Sequence, residues 1–243
     1  MQFGLKVYGN KELSILKSVV NNFDFIEIMA LKENNYKEIG NFGLPIIVHN
    51  KHSRFGINFA NPKKEIENKN SLDYAITLAD KLDSKFIIVH SEFREDINCS
   101  EEQITRFIEQ YDDDRILIEN MPGPRNGKIN FGDTFESIKR ICSNSKKSMC
   151  LDIGHAALTA NYLHINTLDF LKKMNSLDPK LYHVCDVNFA KMIDHLTLGT
   201  GDLCWPSIMN DILPKDACLS IETRYDDVEN KRLELQFIKK QLA

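Results

Sequence analysis

Residues 45–90 read PIIVHNKHSRFGINFANPKKEIENKNSLDYAITLADKLDSKFIIVH. The stretch opens on one short apolar run, Pro45–His49, and closes on another, Phe86–His90, and each ends in a histidine. Between them Leu72, Ala75, Ile76, Ala79 and Leu82 recur at helical spacing, which predicts a helix over Lys63–Leu82. The two runs are continuous rather than alternating, as expected for parallel strands covered on both faces. Strand, helix and parallel strand make one βαβ unit.

The same reading extends in both directions. Further strands are expected at Phe3–Tyr8, Phe25–Met29, Ile116–Glu119, Met149–Ile153, Leu181–Cys185 and Cys218–Glu222. Helices are expected at Lys11–Val20, Lys32–Ile39, Glu101–Gln110, Thr134–Cys142, Thr167–Met174, Pro206–Ile212 and Val228–Leu242. Eight strand–helix units in a chain of 243 residues match a closed (β/α)8 TIM barrel, which takes about 250. No Gly/Ser/Pro-rich linker or repeat divides the chain, so residues 1–243 are read as one α/β domain.

Composition sets the limits. With 42% hydrophobic and 27% charged residues, 11 Gly and 7 Pro, the chain has material for a core and is neither disordered nor collagen-like. The net charge of −4 gives no global attraction for nucleic acid. The 6 cysteines form no CxxC pair, and several lie in apolar runs where a free thiol acts as a small hydrophobe. The opening MQFGLKVYGN lacks the pattern of a signal peptide, and no apolar run nears the roughly 18 residues of a membrane span. A reducing cytoplasm is the expected compartment.

The functional signal is the residue that ends each strand. His49, His90 and Glu119 close three strands in succession, Asp152 and His183 lie in the next two, and Glu222 ends the last. The carboxyl ends of barrel strands ring one face, which holds the active site. His155 and His195 follow in adjacent loops, so 5 of the 7 histidines fall on one rim. A lone strand-end His or Glu is ordinarily a satisfied polar group; His52 and His164 read as such loop residues. Carboxylates converging this closely repel unless cations neutralise them, and mixed His/Asp/Glu shells suit zinc, manganese or iron. A metal site is the expectation.

The pieces IVHNKHSRFGINFANP, IIVHSEF, ILIENMPG, CLDIGHAA, YHVCDVN, DHLTLGTGD and SIET occur in that order across almost the whole chain. Together they resemble the xylose-isomerase-like TIM barrel superfamily, which holds sugar phosphate isomerases and epimerases and the endonuclease IV type of apurinic-site enzymes (AP endonuclease family 2). In the isomerases and epimerases the resemblance implies one divalent ion, zinc or manganese, at positions matching Glu119, Asp152, His183 and Glu222. The two glutamates, Glu119 and Glu222, would also be the catalytic acid/base pair beside a metal-polarised carbonyl. In endonuclease IV the same positions belong to a three-zinc cluster. His49 and His90 would join Glu119 at one zinc, and His155 and His195 would serve another. The chain departs from that pattern at Ile193, where the family places an Asp; Asp194 stands one residue later, beside His195.

Other features sit on the same rim. Gly199-Thr200-Gly201 reads either as a tight turn or as backbone amides for a substrate phosphate. Arg224 could pair with an anion, Asp186 resembles the family's HxxD and could orient a ligand, and Asn120 could face the site. Trp205 reads as packing at a helix start, and 111–115 as a solvated turn on the opposite face. The leading expectation is a metal-dependent isomerase or epimerase of a small sugar or sugar phosphate, with one ion. The alternative is an endonuclease IV-like phosphodiesterase acting on abasic-site DNA with two or three zinc ions. A metal-binding barrel without catalysis is the third reading. No membrane partner is expected, and the sequence leaves the oligomeric state open.

Overall fold

The computed structural model describes residues 1–125, 127–223 and 228–242, the side chains of 11–15 and 228–229 excepted. Eight parallel strands close a barrel: β1 (Gln2–Val7), β2 (Phe25–Met29), β3 (Ile46–His49), β4 (Phe86–His90), β5 (Ile116–Glu119), β6 (Ser148–Asp152), β7 (Leu181–Val184) and, last in the chain, β10 (Cys218–Ile221). Around it run α1 (Asn10–Val19), α2 (Glu65–Lys81), α3 (Glu101–Ile108), α4 (Phe135–Ser145), α5 (Ile153–Tyr162), α6 (Thr167–Asn175) and α8 (Val228–Lys240), with the single turn α7 (Trp205–Ser207) continuing as a π-helical turn to Ile212. The (β/α)8 expectation holds.

Period-two alternation sorts each strand into two faces. Phe3, Leu5, Ile26, Ile28, Ile46, Val48, Ile87, Val89, Ile116 and Ile118 face outward into the large core shared with the helices. Phe25, Ile47, Ile88, Leu117, Cys150 and Leu181 face inward and pack as a separate plug. Two residues beyond each plug position stand Glu27, His49, His90, Glu119, Asp152 and His183. Lys6 stands likewise beyond Gly4, and Glu222 beyond Ser220. Every barrel strand thus sends one polar side chain into a single band above an apolar floor. Around the ring, Glu27 is level with Ile47, His49 with Ile88, Glu119 with Cys150, and Ser220 with His183. These are four two-residue steps, the stagger of a closed eight-stranded barrel.

Three local expectations are corrected. Residues 32–39 form turns and a 3-10 turn at Ile39–Phe42, because Lys32–Ile39 holds too few apolar positions to pack a helix. The strand expected at Met149–Ile153 stops at Asp152, and α5 starts at once at Ile153, a helix that the apolar pattern does not separate from the strand. The segment after β7 folds as an antiparallel hairpin, β8 (Asp186–Asn188) and β9 (Ile193–Leu196), rather than an irregular loop. The six cysteines are free thiols. No helix among the described residues is long and apolar enough to cross a membrane.

Gly4 fits its strand because the Phe25 ring covers it. A Cβ there would meet Phe25 Cε2 at 2.0 Å. Gly4→Ala is therefore expected to lower stability by about 1–3 kcal/mol, read by chemical denaturation, and Phe25→Leu in the same chain to recover part of that loss.

Candidate metal centre

Four residues of the band divide their polar atoms in the same way: one atom is tied to the protein and the other has no hydrogen-bond partner. Asp152 caps α5, its Oδ1 accepting from the His155 amide at 2.6 Å, while Oδ2 has no partner. His183 shares its Nε2 with Glu27 Oε2 at 3.0 Å and leaves Nδ1 without one. Glu119 uses Oε2 toward His49 Nε2 at 3.2 Å and leaves Oε1. Glu222 accepts from Tyr8 Oη at 2.8 Å on Oε1 and leaves Oε2. Glu222 Oε2 and His183 Nδ1 lie 2.8 Å apart without hydrogen-bond geometry. Burying such atoms unsatisfied costs about 1–3 kcal/mol each, so their convergence calls for a common partner.

One ligand atom from each of Glu119, Asp152, His183 and Glu222 lies within 4.8 Å of the others. Ligands about 2.0–2.2 Å from one ion stand roughly 3–4 Å apart, so small side-chain adjustments suffice. The donor set of three carboxylates and an imidazole fits a divalent ion. Four further groups among the described residues share its members: Glu27, His49 and His183; Glu119, Cys150 and His183; and two more. His49, His90 and Glu119 form one, with both ring nitrogens of His90 lacking a hydrogen-bond partner. Asp152, His155 and His195 form the other.

That last group is already engaged by the protein. His195 places Nε2 3.2 Å from Glu222 Oε1 and Nδ1 3.2 Å from Asp194 Oδ1. His155 bonds the Asn120 carbonyl through Nδ1 at 2.9 Å, and its Nε2 stands 3.5 Å from Asp194 Oδ2. Arg125 reaches that same Oδ2 at 2.6 Å. The left-handed backbone of His195, φ 58°, interrupts the alternation of β9. As a result the neighbours Asp194 and His195 both face the site, and Asp194 reaches His155 although Ile193 holds the position where an Asp was expected.

The charges explain the titration. Burial opposes ionisation of Glu119, but His90 and His183 outweigh it and hold its pKa well below the usual carboxylate range. Burial likewise opposes ionisation of Glu222, and Lys6 and His183 overcome it. Asp152 has weaker cationic support, so burial leaves its pKa raised.

Some expected site residues have other tasks. Asn120 is fully buried and pairs with Asp152, its Oδ1 accepting from the Asp152 amide at 2.8 Å and its Nδ2 donating to the Asp152 carbonyl at 3.1 Å. It holds β6 to β5 rather than facing the mouth. Asp186 is fully buried and accepts from Val187 N, Gly199 N, Leu203 N and Trp205 Nε1 at 2.9, 2.9, 3.2 and 3.0 Å. Its carboxylate is committed to folding the 197–205 loop. The Gly199 amide is therefore used within the chain, and a Cβ on Gly201 would strike Asp186 Oδ1 at 2.3 Å, so this segment is the tight turn of the two readings. Trp205 is packed, as expected. Arg224 lies outside the described residues.

Three residues near the site, Lys6, Glu27 and Glu92, went unread in the sequence, and a fourth, His52, was read as an ordinary loop residue. Lys6 and Glu27 are buried in the band, and His52 stacks on His90 at 4.6 Å. Glu92, with φ 63°, is buried, and that burial pushes its carboxyl up to about 8 against the pull of Ser53. The signal for Glu27 was a lone charge inside the apolar run FIEIM.

The closed barrel gathers at its mouth imidazoles and carboxylates that could hold a metal ion. The chain belongs to the xylose isomerase-like TIM barrel family, whose model matches residues 21–241. It is similar over 100% of both chains to a D-tagatose 3-epimerase-like protein, with TM-score 0.73 and 23% identity. Endonuclease IV from Thermus thermophilus gives TM-score 0.75 at 18% identity, over 100% of this chain and 99% of that one. The IolI protein with a bound zinc atom gives 0.66 at 16%, over 99% and 96%. At these identities the likeness to solved structures is one of fold. Comparison with curated proteins gave no match.

Asp186→Ala would strand the Trp205 indole N–H and the Gly199 and Leu203 amides. It is expected to cost about 2–4 kcal/mol in a urea melt, with the Trp205 fluorescence change marking loss of the loop.

Proposed function

We propose that the chain, read as one domain over 1–243, is a divalent-metal-dependent isomerase or epimerase of a small sugar or sugar phosphate. The observation that carries this is that each residue of the four-residue cluster keeps one buried atom without a hydrogen-bond partner: Glu119 Oε1, Asp152 Oδ2, His183 Nδ1 and Glu222 Oε2. Bound there, zinc or manganese would supply Lewis-acid polarisation of a substrate carbonyl. Glu119 and Glu222 are the proton carriers of the proposal, kept ionised by the neighbours that lower their pKa. His183 is oriented by Glu27, and the apolar floor below the band excludes water from beneath. The engagement of His155, His195 and Asp194 by one another, Glu222 and Arg125 supports fewer than three ions. The −4 charge supports a small substrate over DNA. The epimerase-like neighbour is consistent with this reading.

A second reading, an endonuclease IV-like phosphodiesterase on abasic-site DNA, is favoured by His90. Both its nitrogens lack hydrogen-bond partners beside His49 and Glu119, a ligand set that a one-ion isomerase does not need.

Elemental analysis of protein purified without chelator should give about one tightly held ion per chain. Solvent deuterium should enter a ketose substrate, and Glu222→Gln or Glu119→Gln should abolish that exchange. Two or three zinc ions with cleavage of an abasic duplex would establish the second reading instead. Bound metal with neither activity would leave a non-catalytic barrel.

A further inference from the structure

Lys6 is a buried lysine at the metal-site end of β1, its side chain 1% exposed. Its Nζ lies 2.7 Å from Glu222 Oε1 and 3.2 Å from Glu27 Oε1, without hydrogen-bond geometry to either, so it holds both carboxylates by charge. Tyr8 Oη and His195 Nε2 approach the same Glu222 oxygen at 2.8 and 3.2 Å. Three groups therefore crowd one carboxylate oxygen, while Oε2 has no hydrogen-bond partner and lies 2.8 Å from Nδ1 of His183, another residue of the ligand cluster. Glu27 is divided in the same way, Oε1 toward Lys6 and Oε2 toward His183 Nε2. One ammonium thus touches both the carboxylate that orients the imidazole ligand and a carboxylate that is itself a ligand.

We infer that Lys6 is a positioning residue of the metal centre: it anchors Glu222 by Oε1 so that a single oxygen, Oε2, faces the ion. A free carboxylate can turn to offer both oxygens to a cation. A lysine ammonium 2.7 Å from one of them opposes that rotation, because turning Oε1 to the ion would strip the buried charge of its closest partner. Tyr8 and His195 steer the same oxygen but do not match the ammonium in charge and proximity together. Losing a partner of this kind behind a ligand typically costs about 10–100-fold in metal affinity or activity. The inference rests on Glu222 being a ligand and is independent of which reaction follows.

Cobalt(II) in place of the native ion gives a test that does not depend on turnover, because its visible absorption weakens as coordination number rises above four. The wild-type chain, Lys6→Met, Glu27→Gln and the double variant Lys6→Met/Glu27→Gln are loaded with cobalt and compared. The double variant removes one buried cation and one buried anion together, so it guards against a Lys6→Met chain that fails to fold. Glu27→Gln keeps an oxygen acceptor for His183 Nε2 and should retain the wild-type spectrum. Both chains lacking Lys6, or the double variant alone if the single does not fold, should lose visible intensity as Glu222 binds through both oxygens. A wild-type spectrum in the chains lacking Lys6 overturns the inference, as does an equal loss in Glu27→Gln alone. Wild-type protein that takes up no cobalt overturns this inference and the metal reading together.

Discussion

Four carboxylates, those of Glu27, Glu119, Asp152 and Glu222, are buried within one barrel mouth, and much of the site's architecture answers that constraint. Two like charges about 4 Å apart repel by roughly 4 kcal/mol at an effective dielectric near 20. Each answer is visible as a contact. Lys6 lies between Glu27 and Glu222, imidazoles stand against Glu119, and the first turn of α5 gives the His155 amide to Asp152. Glu27 turns both oxygens to protein groups, Lys6 and His183, whereas Glu119, Asp152 and Glu222 each keep one oxygen without a hydrogen-bond partner, the side from which the proposed ion would be held.

Strands and loops share this work unequally. The band residues are fixed by strand register, whose error is small because a one-residue slip would turn every polar side chain outward. The second tier, His155, Asp194 and His195, hangs on α5 and the β8–β9 hairpin and needs separate support. Asp186 supplies part of it by gathering four donors from 187–205. Among the described non-glycine residues at positive φ, Glu92 follows the end of β4 and His195 lies in β9, both beside the mouth, while Asp83, Lys146, His164 and Asp178 lie just after helices. Strain such as that at Glu92 and His195 persists where surrounding contacts over-determine the chain, commonly at functional sites.

Continuous apolar runs and the helical spacing of Lys63–Leu82 made the barrel legible, since burial on both strand faces and on one helix face writes itself into residue order. Strand-end residues His49, His90, Glu119 and Glu222 were legible for the same reason, as polar interruptions at the ends of those runs. Lys6 and Glu27 were missed because only strand ends were read; counting two residues beyond each inward apolar position would have found both. Asn120 and Asp186 were read as site-facing from adjacency alone, which does not reveal the hydrogen bonds that tie Asn120 to the Asp152 backbone and Asp186 to the 187–205 segment. The hairpin escaped notice since β8 and β9 are too short to carry a period. Asp194 turns inward only through the left-handed turn at His195, a feature of backbone rather than of composition.

The central claim is that Glu119, Asp152, His183 and Glu222 hold one ion through oxygen and nitrogen alone. A competing cluster, Glu119, Cys150 and His183, would bring in a thiolate. Cys150 is packed among Phe25, Ile47, Ile88, Leu117 and Leu181 in the apolar floor below the band. X-ray absorption at the metal edge of the zinc-loaded protein decides between them. The account predicts a shell of nitrogen and oxygen at about 2.0–2.2 Å with imidazole scattering behind it. A sulfur at about 2.3 Å would contradict it.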